Sequence, residues 1–200
     1  MPRNDTAARP NPSAPWVIDT RELGRRPGAM RTYHRNLPAP GGLSLDVVGV
    51  PEGAEVAVHV RLESVMEGVL VSGTATAPVS GECARCLDPL TERLEVELTE
   101  LFAYPDTVTE ESTDPDEVSR VVDDLVDIEP VVRDAVLLAL PQAPLCREDC
   151  AGLCPECGAK RDELDPEHRH ETMDPRWAAL QRFSVHGGTT ETANGRQGIE

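Results

Sequence analysis

Two cysteine clusters constrain this chain more than any other feature. All six cysteines fall in them: Cys83-Ala-Arg-Cys86, then Cys146, Cys150, Cys154 and Cys157, with His168 and His170 just downstream. Thiols two or three residues apart let one turn offer two thiolates to one metal ion, and two such turns close a tetrahedral zinc shell. Two partitions are open. Cys146, Cys150, Cys154 and Cys157 can hold one zinc, with Cys83 and Cys86 standing apart. Alternatively Cys83, Cys86, Cys146 and Cys150 hold one zinc, and Cys154, Cys157, His168 and His170 hold a second. The second partition is favoured, because it leaves no CxxC without a role and completes a Cys2His2 set. The cofactor expected is therefore one or two Zn2+ ions.

A redox reading of CxxC needs a strand-to-helix start that lowers one thiol's pKa. Here Cys83 and Cys86 lie between two β runs. No paired carboxylates, Ser/His set or Gly-rich phosphate loop stands out, so the chain is expected not to be an enzyme and no catalytic residue is assigned. The N-terminus lacks the apolar stretch of a secretory signal. No apolar run approaches the roughly 20 residues of a membrane span. A cytoplasmic location is expected, where thiols stay reduced and clustered Cys reads as metal before disulfide.

The periodicity predicts an α+β fold, an antiparallel sheet of hairpins with one packing helix and a zinc-bound C-terminal segment. Val56, Val58, Val60 and Leu62 alternate onto one face, and Met66-Glu-Gly turns the chain into a second run, Val69–Ala77. Leu43–Val47 and Leu94–Thr99 alternate as well, so Cys83–Pro89 joins two strands. Trp16–Thr20 is a short strand or a docking segment. Residues 24–42, rich in Gly and Pro, read as irregular, and Val121–Ile128 is ambiguous. Pro130–Leu140 reads as a helix, with Asp127 or Glu129 at its start and a stripe of Val132, Val136, Ala139 and Leu140. Pro141 stops it. Asp174–Phe183 reads as a last helix docking through Trp177 and Leu180. The organisation expected is a disordered N-terminus at 1–15, one domain at 16–183 and a disordered tail at 184–200. That domain contains a mobile acidic loop at 105–119 and the Cys-rich zinc segment at 146–170.

The net charge of −17 is unevenly spread. Residues 1–40 carry seven arginines and three acids, whereas residues 88–134 carry sixteen acids and three arginines. The acidic middle repels nucleic acid and suits a basic protein partner. Arg21, Arg25, Arg26, Arg31 and Arg35 are the candidates for local RNA contact.

With these residues assembled, the chain resembles the YceD family, large ribosomal RNA subunit accumulation proteins. The resemblance rests on Glu67-Gly-Val-Leu-Val-Ser-Gly, Gly81-Glu-Cys-Ala-Arg-Cys-Leu-Asp-Pro-Leu, Glu100-Leu-Phe-Ala-Tyr and Leu137-Leu-Ala-Leu-Pro-Gln-Ala-Pro-Leu-Cys. Cys150-Ala-Gly-Leu-Cys-Pro-Glu-Cys-Gly and Asp174-Pro-Arg-Trp-Ala-Ala-Leu extend it, so that it covers residues 16–183. Many relatives have Asn-Leu-Asn and then Cys-x-Cys after the CPxCG, where this chain has Lys160-Arg-Asp-Glu-Leu and His168-Arg-His170. The resemblance implies a non-enzymatic, zinc-stabilised factor in large-subunit rRNA accumulation, processing and ribosome assembly. Its implied partner is a ribosomal protein or an rRNA-processing or assembly factor. The competing expectation is a zinc-binding adaptor with a partner outside ribosome assembly.

Overall fold

A computed structural model of the chain describes residues 9–105, 107 and 118–170. The structure divides after Gly152 into two compact units. The first unit is mainly antiparallel β. Its central strand, β5 (Gly68–Glu82), pairs along its whole length with β6 (Pro89–Ala103). Its other edge takes β4 (Glu55–Ser64) and, further along, the two-residue β3 (Val48–Gly49). Strand β2 (Met30–Pro38) closes the sheet beyond β4. A separate two-stranded ribbon joins β1 (Val17–Asp19) to β7 (Leu125–Asp127). One helix, α1 (Glu129–Ala139), follows and packs against β6. Among the described residues no helix is long and apolar enough to cross a membrane.

The alternation read from the sequence places the core. Val56, Val58, Val60 and Leu62 are all buried on one face of β4. The antiparallel register sets them beside Val69, Val71 and Ala75 of β5, and Val96, Leu98 and Phe102 of β6 extend the same face. Residues two apart share a face of a pleated strand, so this one register buries all of them together. The β4–β5 turn closes through Val65 N–H donating to the Gly68 carbonyl at 2.9 Å.

Helix α1 starts as expected. The Asp127 carboxylate accepts from the Glu129 N–H at 3.0 Å, and Pro130 sits in the first turn, where its missing N–H costs nothing. Val132, Val136 and Leu140 are buried, but Ala139 is exposed, so the expected stripe is narrower by one residue.

Two expectations are corrected. Residues 30–38 are a nine-residue strand, not irregular. Their register turns Arg31, Tyr33, Arg35 and Leu37 toward the core side of the sheet edge, and two arginines there hide the period of two. The Leu43–Val47 run forms only a bridge, Ser44 with Gly49, ahead of β3. Trp16–Thr20 contains β1, and the ambiguous 121–128 stretch contains β7. The helix expected at Asp174–Phe183 and the tail expected at 184–200 lie outside the described residues, as do most of the stretches 1–15 and 105–119.

Leu62 is fully buried at the centre of β4, whereas Met66 at the turn is 81 % exposed. Urea unfolding is expected to show Leu62→Ala losing about 2–5 kcal/mol, the transfer and cavity cost of a buried leucine. Met66→Ala is expected to stay within about 0.5 kcal/mol of the parent.

Candidate metal centres

Strand β5 ends at Glu82 and β6 begins at Pro89, so the first CxxC occupies the turn of the longest hairpin. Cys83 N–H donates to the Asp88 carbonyl at 2.8 Å, and Leu87 N–H returns to the Cys83 carbonyl at 2.9 Å. Leu87 adopts a left-handed φ of 62° to close this turn. The same two bonds recur in the second unit. There Cys154 N–H donates to the Ala159 carbonyl and Gly158 N–H to the Cys154 carbonyl, both at 2.8 Å, with Gly158 at φ 72°. The two CxxC turns are thus one knuckle built twice. The position that must be left-handed follows the second Cys directly and is Leu87 in one and Gly158 in the other. Glycine meets that requirement without steric cost, and leucine does not.

The first unit brings Cys83, Cys86, Cys146 and Cys150 together, their sulfurs all within 4.8 Å of one another. The Sγ–Sγ distances are 3.8 Å for Cys83–Cys150 and 3.6 Å for Cys86–Cys146. A disulfide needs about 2.05 Å, and all six cysteines are free. A tetrahedral ion with metal–sulfur bonds of about 2.3 Å separates neighbouring sulfurs by about 3.8 Å, so the set fits such an ion. Cys83, Cys86 and Cys150 are buried, while Cys146 is exposed.

Backbone contacts join the two halves of this centre. Ala84 N–H donates to the Pro144 carbonyl at 2.8 Å. The Arg85 guanidinium donates to the Cys150 carbonyl at 2.9 Å and reaches the Glu148 carbonyl at 3.5 Å. Gly152, at φ +75°, lies against this arginine, and a Cβ there would sit 3.0 Å from the Arg85 carbonyl oxygen. Arg85, Leu87 and Gly152 were not singled out by sequence reasoning. Only the glycines next to the cysteines gave a local signal, since Arg85 acts across 65 residues.

The second unit gathers Cys154, Cys157, His168 and His170, their candidate ligand atoms likewise within 4.8 Å. Cys157 Sγ lies 3.7 Å from His168 Nε2, and the two imidazoles meet edge to face at 4.4 Å. A bend brings the histidines in: the Asp165 carboxylate accepts from Glu167 N–H and the Asp165 carbonyl from His168 N–H, both at 2.8 Å. Only Cys154 of this set is buried. The eight candidate ligands therefore fall into the favoured partition, and either set could hold a metal ion.

The thiols are electrostatically prepared for that. The backbone N–H of Cys146, with those of Cys86 and Arg85, overcomes burial and lowers Cys83 from 9.0 to about 6. The N–H groups of Cys157 and Glu156, with His168, lower Cys154 to about 6. Cys86 accepts from the Asp88 N–H, yet burial and the neighbouring sulfurs push it up to about 12. Cys146 is lowered by Cys86 but raised on balance by burial, Cys150 and Cys83. Without a metal, each knuckle thus offers one thiolate near neutral pH.

The arginine candidates for RNA contact are largely engaged. Arg21 pairs with Asp19, whose carboxyl it holds at about 2. Arg31 pairs with Glu22, and Arg25 lies 3.6 Å from Asp124 and over the Tyr104 ring. Arg35 lies 5.8 Å from the Tyr33 ring centroid, and Arg26 is exposed.

The chain matches the model of the family described as "Large ribosomal RNA subunit accumulation protein YceD" over residues 71–184, a stretch containing all eight ligands. The chain belongs to the YceD family. Curated relatives of the chain bear names that call them uncharacterized. The Mycobacterium tuberculosis protein Rv2926c is 49 % identical over 185 residues, 92 % of this chain and 88 % of the relative. Mycobacterium leprae ML1660 is 44 % identical over 167 residues, 84 % of this chain and 76 % of its own. Bacillus subtilis YlbN is 32 % identical over 110 residues, 52 % and 62 % respectively. No solved structure matches the chain.

In the metal-free, reduced protein the ultraviolet absorbance of thiolates is expected to rise through about pH 6, from Cys83 and Cys154 together. Cys83→Ser should remove half of that step. Because both folded values lie below the ordinary 9.0, these thiolates stabilise the metal-free fold fully above pH 9, and the contribution is lost as pH falls through 6. A first thiolate signal only above pH 8 would contradict the knuckle geometry.

Proposed function

We propose that the chain is a non-enzymatic factor, stabilised by two zinc ions, that supports accumulation and processing of large-subunit ribosomal RNA during ribosome assembly in the cytoplasm. The observation that carries this reading is the family match, with two separate four-ligand sets inside the matched region. Cys83, Cys86, Cys146 and Cys150 would hold one zinc, and Cys154, Cys157, His168 and His170 the other. Zinc would supply structure: its binding energy becomes folding energy when the ligands are far apart in sequence. A shell of four thiolates leaves no open position for a water nucleophile, in keeping with a structural role. The direct partner is proposed to be a ribosomal protein or an rRNA-processing or assembly factor with a basic surface. The exposed acids of β6 and the pairing of three arginines with acids favour a protein over direct RNA contact.

Metal stoichiometry by native mass spectrometry tests the zinc assignment. The parent is expected to hold two zincs, and Cys150→Ser and Cys154→Ser one each. One zinc in the parent and none in Cys154→Ser would instead place a single ion on Cys146, Cys150, Cys154 and Cys157. Cellular RNA tests the role. Depletion is expected to lower mature large-subunit RNA with accumulation of its precursor, and to leave small-subunit RNA unchanged. Unaltered large-subunit RNA would overturn the reading.

A further inference from the structure

The four-stranded part of the sheet has two faces, and the second carries a pattern the metal centres do not use. Among the described residues no element covers it: Thr91, Arg93, Glu95, Glu97 and Thr99 are all exposed. The register places Met30, Glu63, Leu70 and Leu101 in one straight row across β2, β4, β5 and β6. Met30 is 60 % and Leu101 39 % exposed, and Met66, 81 % exposed, tips the adjoining turn. One end of the face therefore carries exposed Met30 and Leu101 and half-buried Leu70, with Glu63 between Met30 and Leu70. Toward the other end Glu95 and Glu97 stand on the same side of β6, four and six residues from Leu101. Counting Glu55, Glu63 and Glu82 with them against Arg61 and Arg93, the face is net acidic.

We propose that this face is a docking surface for a cationic amphipathic segment of another protein. Its apolar side chains would seat on the Met30–Leu70–Leu101 row and its Lys or Arg side chains on Glu95 and Glu97. Charge complementarity selects the partner: an acidic face repels phosphate and attracts Lys and Arg. Spacing selects its shape. Four to six residues of strand span about 13–20 Å, which a helix covers in about nine to thirteen residues. The partner segment thus has polarity, with an apolar turn at one end and basic turns at the other. The inference rests on the assembly-factor reading only for its cellular consequence.

Fluorescence anisotropy with the full chain tests it. The probe is a labelled peptide of about fourteen residues, leucines on its first two turns and Lys/Arg on the rest. Binding is expected, weakened about tenfold or more both by Glu95→Lys/Glu97→Lys and, separately, by Leu70→Ser/Leu101→Ser. The control Glu52→Lys/Asp134→Lys, with the same charge change at exposed positions elsewhere, is expected to bind within about twofold of the parent. An equal loss in the control would reduce the effect to diffuse attraction and overturn the proposal. So would tighter binding of a single-stranded RNA of about twelve nucleotides than of the peptide. Unchanged metal content and circular dichroism establish that each variant is folded. In depleted cells, parent chain restoring large-subunit RNA tests the assembly reading alone. Full rescue by a folded Glu95→Lys/Glu97→Lys variant that has lost peptide binding would overturn the docking face and leave that reading intact.

Discussion

The four sulfurs at the foot of the β5–β6 hairpin close a loop across 60 residues, from Cys86 to Cys146. That loop contains β6, the acidic stretch, β7 and α1. A metal ion held by these sulfurs would fix its ends and remove about 4 kcal/mol of chain entropy from the unfolded state. The helix alone offers a modest anchor, since Val132, Val136 and Leu140 are its buried apolar side chains. Burying each stabilises by about 1.5–3 kcal/mol before entropy is counted. The segment after Pro141 has no strand or helix of its own up to Gly152. What holds it is Ala84 N–H on the Pro144 carbonyl, the Arg85 guanidinium on two carbonyls, and the sulfur cluster itself. The clasp and the hairpin therefore depend on each other: the hairpin presents Cys83 and Cys86, and the returning chain completes the set.

The same knuckle appears twice with opposite consequences. In the first, three of four ligands are buried and Arg85 rests on the shell, so exchange of a bound ion would require the chain to open. In the second, three of four ligands are exposed, and the bend at Asp165 is the local device that brings His168 toward Cys157. Leu87 in a left-handed conformation shows how the sequence weighs these needs. A leucine there is strained by about 1–2 kcal/mol relative to the Gly158 solution, and the residue is 59 % exposed, so burial does not repay the strain. That strain is tolerated where the surrounding hairpin over-determines the turn.

How much of this was legible in the sequence follows from which signals are local. The valine alternation of β4 and the CxxC spacings are local; the first placed the central strands, and the second led to the same two groupings of Cys and His that the structure brings together. Strand β2 was hidden because Arg31 and Arg35 take core-side positions at the sheet edge, where long side chains reach solvent past the apolar stem. Ala139 was read into the helix stripe because an ideal period of 3.6 was continued to the last turn, where α1 ends and Leu140 is already extended. Arg85 could not be found by pattern at all. Its role exists only once Cys150, 65 residues away, is folded beside it.

Charge distribution, unlike total charge, changes meaning on folding. Arginines that form a basic arm in the sequence are matched in space by Asp19, Glu22 and Asp124. Matched pairs leave little field to draw a phosphate backbone, whose attraction scales with the number of charges it neutralises. The acids of β6 follow the opposite course. Strand pleating sends Glu95 and Glu97 to one side, away from Val96 and Leu98, and leaves them on an open surface. Folding thus pairs three arginines of the basic arm with acids and displays Glu95 and Glu97. A surface so arranged attracts Lys and Arg side chains and repels phosphate.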